Sequence, residues 1–246
     1  LPADTACLLV QSPNFFGYLE DLQAAARAAH DGGALLVVHT DPIACALFRP
    51  PGAYGADIAT AEGQALGIPP QFGGPYVGVF TCKQQFVRQM PGRIVGKTVD
   101  TQGRVGYVLT LQTREQHIRR ERATSNICTS EQLLALAATI YLAALGKGGL
   151  RRVAELCYHK AHYAAARIAA LPGYTLPLQG TFFQEFLVRC PAPPAAINQR
   201  LLERGIIGGL DVSALGGGPN SMLLAVTEVC TRQDIDRLVE TLAECR

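Results

Sequence analysis

The stretch ACLLVQSPNFFGYLEDLQAAARAAHDGGALLVVHTDP, residues 6–42, decides the fold. Residues 6–10 are an apolar run, residues 18–30 carry a helical pattern stopped by Asp31-Gly32-Gly33, and residues 34–38 are a second apolar run. Glycine just past a helical pattern is a stop signal, because it adopts the left-handed conformation without steric cost. Short, continuously apolar runs fit buried strands of a parallel sheet. Two parallel strands need a crossover, and a helix of this length supplies one. The expected unit is βαβ. In open α/β sheets ligands sit beyond the carboxyl ends of strands, which places Asp41 where a carboxylate can face a ligand, for example a protonated ring nitrogen. An aspartate before a proline also favours a turn for local reasons, and position alone favours that reading.

Downstream, Pro50, Pro51 and Gly52 make a turn, and residues 56–61 and 76–81 read as strands. Residues 83–90 read as a short helix, 91–100 as a loop, 104–111 as strand and 113–122 as a charged helix. Thr129 and Gln132 have the spacing of a capping box before a buried helix over 133–145, which Gly146, Gly148 and Gly149 stop. Residues 150–171 are amphipathic, with Val153, Leu156, Ala164 and Ile168 near one stripe, and Pro172-Gly173 ends them. Shorter elements follow: a strand over 181–188, a helix after Pro193-Pro194, a strand over 222–229, and a last helix capped by Thr231 with Asp234. The expected organisation is a large α/β part over residues 1–172 and a small α+β part over residues 173–246.

Composition excludes several classes. Hydrophobic residues are 48% and charged residues 17% of 246, an ordinary globular balance. A net charge of +2 gives no reason to expect a nucleic-acid or membrane-surface partner. No apolar run reaches transmembrane length without polar interruption, and the first residues lack the basic region of a signal peptide. The eight cysteines are spread out, with no CxxC pair and no Cys/His cluster at metal spacing, which fits reduced thiols in a cytoplasm and no metal site. Only four of the 22 basic residues are lysines: Lys83, Lys97, Lys147 and Lys160. Any lysine-dependent chemistry has those four candidates.

Three segments can carry chemistry. Asp41 is the first. Residues 63–78, GQALGIPPQFGGPYVG, are the second: glycines there permit a nest of backbone amides for an anion, although a tight structural turn explains the same pattern. Residues 113–126, TREQHIRRERATSN, are the third, where Arg114, Arg119, Arg120 and Arg122 crowd together with Glu115, Glu121 and His117. Arginine forks suit carboxylates and phosphates, while most such charge runs are solvated helix faces. His159 and His162, three apart, read as surface or packing residues.

Residues 91–141, PGRIVGKTVDTQGRVGYVLTLQTREQHIRRERATSNICTSEQLLALAATIY, together with QSPNFFGYLED, PPGAYGADIATAEGQALGIPPQFGGPYVG and LLAVTEVCTRQDID, resemble the glycine decarboxylase family, the P-proteins of the glycine cleavage system. Within it the similarity is to the C-terminal part of the α subunit (subunit 1). The resemblance implies a pyridoxal-phosphate fold type I large domain, truncated at its N-terminus, followed by a small α+β domain. It implies a subunit of glycine dehydrogenase (decarboxylating), an oxidoreductase. With the β subunit it decarboxylates glycine and passes the aminomethyl group to the lipoyl arm of the H-protein. The lysine that binds pyridoxal phosphate covalently then belongs to the β subunit. The matching stretch here, AEGQALG at residues 61–67, has Gln64 near the lysine's place. Asp41 matches the carboxylate that pairs with the pyridinium nitrogen, and Gly73 and Gly74 match a loop that reaches a phosphate across the subunit interface. Arg114, His117, Arg119 and Arg120 are expected at that interface or at the docking surface for the H-protein. No catalytic residue is expected in this chain. The alternative is a non-catalytic scaffold or regulatory subunit on the same fold.

Overall fold

The computed structural model describes residues 1–111, 115–123, 127 and 131–245. The βαβ unit is present: β1 (Cys7–Gln11), α1 (Leu22–Asp31) and β2 (Leu35–Thr40), with β1 and β2 parallel from Cys7↔Leu35 to Gln11↔His39. β3 (Ile58–Glu62) adds parallel to β2, and β4 (Gly78–Cys82) closes the four-stranded sheet antiparallel to β3. α1 begins later than its periodicity suggested because the Asp21 carboxylate accepts the Ala24 amide at 2.9 Å and fixes the first turn there. The helix buries Leu22, Ala26 and Ala29 against Leu36, Val38 and Ala56.

That covers one face of the sheet. The register sets Leu9, Val37, Ile58 and Cys82 in one row on the other face, with Gln11, His39, Thr60 and Phe80 in the next. No residue of that face is buried. The expectation of strands buried on both sides therefore holds for one side only among the described residues; the apolar runs are what a parallel sheet needs when helices cover both faces.

Three expectations need correction. Residues 91–100 are not a loop: β5 (Ile94–Val99) pairs antiparallel with β6 (Val105–Thr110). Gly96, Lys97 and Thr98 blur the strand pattern in the sequence. The Asp100 carboxylate nevertheless folds the turn by accepting the Gln102 and Arg104 amides at 2.8 and 2.9 Å. Residues 83–90 contain only a single 3-10 turn, Gln84–Phe86. The charged segment forms a four-residue helix, α2 (Gln116–Arg119), and one further turn at Arg120–Arg122. Thr129 of the expected capping box lies outside the described residues.

Gly146 ends the apolar helical stretch where expected, and a second helix follows directly across the kink. α3 (Gln132–Ala169) runs for 38 residues, and Gly146, at φ 61° and ψ −178°, breaks its geometry before it resumes. The front half is not buried as expected: Leu133, Leu136 and Ile140 are exposed. By length and composition α3 can cross a membrane. The break at Gly146 leaves about 14 uninterrupted residues before it, short of the ~20 that a span needs. The back half packs inward through Ala154, Cys157, Ala161, Ala164, Ala165 and Ile168.

β7 (Glu185–Arg189), α4 (Pro194–Glu203), β8 (Leu210–Asp211), β9 (Ser221–Ala225) and α5 (Arg232–Ala243) complete the chain. Their sheet, in order β7-β9-β8, is antiparallel and separate from the first. Phe186, Ile197, Leu201, Met222 and Leu242 form its core together with the back half of α3 and with Tyr18. The capping box before α5 is formed: Thr231 Oγ1 accepts the Asp234 amide at 3.1 Å, and Asp234 Oδ2 accepts the Thr231 amide at 2.8 Å.

Candidate functional site

The carboxyl ends of β1, β2 and β3 lie side by side, and a cleft of about 390 Å³ opens beyond them. Gln11 from the end of β1, His39 and Thr40 from β2, Asp41 just after it, and Glu62 from the end of β3 all line it. This is where the fold concentrates strand-end side chains around a ligand. Gln184 and Glu185, next to and at the start of β7, form a further part of the wall. Gly17 lets them come so close. It has φ +86°, and a Cβ on it would fall 2.0 Å from the Glu185 carbonyl oxygen. Its own carbonyl accepts the Phe183 amide at 2.9 Å, tying the two segments together.

Asp41 serves a local role and also faces the cleft. Its Oδ1 accepts the amides of Ile43 at 2.6 Å and Ala44 at 3.1 Å, the turn that the following proline suggested. Its Oδ2 is 3.4 Å from Gln184 Nε2, which also donates to Glu185 Oε1 at 3.2 Å. Burial pushes the Asp41 carboxyl above its usual value; the two amides offset part of this, and the Glu62 charge adds to it. Burial raises Glu185 in the same way, with Gln184 offsetting and Asp41 adding. His39 Nδ1 lies 3.0 Å from Thr60 Oγ1.

Among the described residues lining the cleft there is no lysine or arginine. Gln64 stands in the wall, and its side-chain amide is bound to the Ile68 carbonyl, bracing the turn after β3. The four lysines are elsewhere. Lys83 is held by Asp57 at the opposite, amino end of β3, at 2.7 Å. Lys97 is exposed on β5 and Lys147 just past the break in α3. Lys160 donates to the Glu228 carbonyl. These residues do not fit pyridoxal phosphate held within this cleft. Among the described residues of the cleft there is no amine to bond its carbonyl carbon and no cation for its phosphate, and burial pushes the Asp41 and Glu185 carboxyls above their usual values. The side chains on offer among the described lining residues are carboxylates, carboxamides, one imidazole and the Thr40 hydroxyl, which donates to the Ser12 carbonyl at 2.8 Å.

The other expected residues are not brought to this cleft. Gly73 and Gly74 lie in the connection before β4 and do not line it. His117 and Arg119 on α2 and Arg120 in the following turn are exposed and also stand outside it; Arg114 lies outside the described residues. Sequence reasoning missed His39, Glu62, Gln184 and Glu185. Glu62 had the same signal as Asp41, a carboxylate at the end of a strand. Gln184 and Glu185 arrive from more than 140 residues away in sequence, a distance that no local pattern reports.

Similarity to known proteins matches this geometry. The model of the glycine cleavage system P-protein family matches residues 2–242. A probable glycine dehydrogenase (decarboxylating) subunit 1 of Thermomicrobium roseum is 60% identical over 98% of this chain and 54% of its own length. The protein of the same name from Desulforamulus reducens is 54% identical over 98% and 54%. The chain thus spans about half the length of these curated relatives. A crystal structure of glycine decarboxylase (P-protein) of the glycine cleavage system, in inhibitor-bound form, superposes with a TM-score of 0.94 at 47% identity, covering 99% of this chain and 56% of that one. The cysteine desulfurase CsdA of Escherichia coli, at 17% identity, covers 99% of this chain and 60% of its own with a TM-score of 0.68, a likeness of fold alone. The architecture is that of pyridoxal-phosphate fold type I. By sequence along nearly its whole length and by the superposition of its fold, the chain belongs to the glycine cleavage system P-protein family.

Proposed function

We propose that this chain works as part of a non-catalytic subunit of glycine dehydrogenase (decarboxylating). In this reading a second, related subunit holds pyridoxal phosphate on its own lysine, decarboxylates glycine there and passes the aminomethyl group to a lipoylated H-protein. The cofactor supplies the electron sink for that decarboxylation when bound to the partner. This chain supplies fold, contact surface and loops around the partner's site, with Gly73 and Gly74 assigned to that boundary and the arginine-rich segment at 114–122 to the same interface or to the docking surface for the H-protein. One observation carries the reading: a strand-end cleft that keeps Asp41 but contains no lysine, in a chain whose four lysines all lie elsewhere.

The test is exchange of labelled bicarbonate into glycine. The full-length form of this subunit, the second subunit and H-protein are assayed together and with each omitted. The expected result is exchange only when both subunits are present. Full exchange without this subunit would make it a scaffold or regulator; exchange by this subunit alone would refute the reading.

A further inference from the structure

We propose that one face of the β5–β6 hairpin is the docking face for a second, folded subunit, with apolar side chains packed around Lys97 and carboxylates of the partner opposite it. The proposal rests on the reading that the chain works inside a two-subunit enzyme.

Residues directly opposite in an antiparallel pair share a face, as do residues two apart on one strand. The register therefore groups Val95 with Leu109, Lys97 with Tyr107, and Val99 with Val105. Val95, Val99, Val105 and Tyr107 are 58–71% exposed. The two strands pair with each other and with no other described strand. A lone two-stranded hairpin is marginal in water, so an apolar face on one calls for a cover. The face also has features of an interface: aliphatic side chains around one tyrosine, with charge kept to one position, Lys97.

Charge narrows the occupant. Lys97 stands in the middle of the face and has no acidic partner among the described residues, while Arg104 at the tip is occupied by Asp100 at 2.7 Å. Residues 94–122 carry six basic residues against three acidic ones. A second copy related by a two-fold axis would set Lys97 near its own equivalent, and like charges there repel. A bilayer would have to take up the central ammonium, at a cost that membrane insertion measurements place at about 3 kcal/mol. A different subunit with an apolar patch and a carboxylate meets both demands. The relatives' own designation as subunit 1 implies that a second subunit exists to take this place.

Tyr107→Ala and Lys97→Glu are made in the full-length form of this subunit. Each variant is titrated against the second subunit, and its melting temperature is measured alone. Expected are a loss of affinity of at least about 30-fold for Tyr107→Ala, a loss of about tenfold or more for Lys97→Glu, and unchanged melting of the isolated variants. Unchanged affinity would overturn the proposal. So would a lowered melting temperature of the isolated variants, which would show that this subunit's own remaining chain covers the face. Tyr107-dependent flotation with phosphatidylserine vesicles, or the lack of any wild-type complex, would overturn it too. The functional reading is judged separately: a wild-type complex that forms but does not exchange bicarbonate refutes that reading and leaves the docking face standing.

Discussion

Asp57, at the amino end of β3, has a side chain only 5% exposed and three partners: His30 Nε2 at 2.8 Å, Lys83 Nζ at 2.7 Å and the Leu36 amide at 2.8 Å. Burial pushes this carboxyl up, but hydrogen bonds from Lys83, His30 and the Leu36 amide outweigh it and hold it below its usual value. Lys83 and His30 are each about two-fifths exposed, so solvent screens their attraction. The larger loss on removing the carboxylate comes from the buried Leu36 amide. Asp57→Ala should therefore cost about 2–3 kcal/mol at neutral pH, read by urea denaturation. The native carboxyl titrates below the unfolded one, so its contribution is complete above about pH 4 and fades as pH falls through the native value. The stability difference between wild type and Asp57→Ala should narrow below pH 4; a difference that grows there would contradict the sign. None of this was legible in the sequence, since the three partners come from α1, β2 and the end of β4. Asp41 was legible, because proline after it marks the turn and the end of β2 marks the cleft.

At the scale of elements, Gly146 shows how far local signals reach. Its place after an apolar helical pattern signals a stop, and the helix does break there, but a second helix resumes at once because Ala154, Ala161 and Ile168 have a core to enter. Alanine at φ +61° is strained by about 1–3 kcal/mol, so Gly146→Ala should destabilise by that amount. Gly148, two residues on and helical with nothing near its Cβ position, should instead gain about 0.5–1 kcal/mol on becoming alanine. Equal stabilisation by both substitutions in chemical denaturation would show that the break is not required. The βαβ unit and the Thr231–Asp234 capping box were readable because their determinants lie within a few residues of each other. β5 was not, because its pairing depends on a turn at Asp100 rather than on its own pattern. The exposure of the front half of α3 was not either, because an apolar run is the same string whether its cover is present or absent.

For the whole molecule, three apolar regions are exposed among the described residues: the sheet face opposite α1, the β5–β6 hairpin and the front of α3. A cleft of about 390 Å³ at the strand ends, with Asp41 in its wall and no lysine among its described lining residues, supports the proposal that this chain assists chemistry carried out on a second subunit. That is the central claim, and it has a direct measurement. The purified full-length subunit, alone and then with the second subunit, is mixed with pyridoxal phosphate, reduced with borohydride and mapped by mass spectrometry. The account predicts stoichiometric pyridoxyl-lysine in the second subunit and none at Lys83, Lys97, Lys147 or Lys160 of this chain; stoichiometric labelling of any of those four, with the matching absorbance band before reduction, would contradict it.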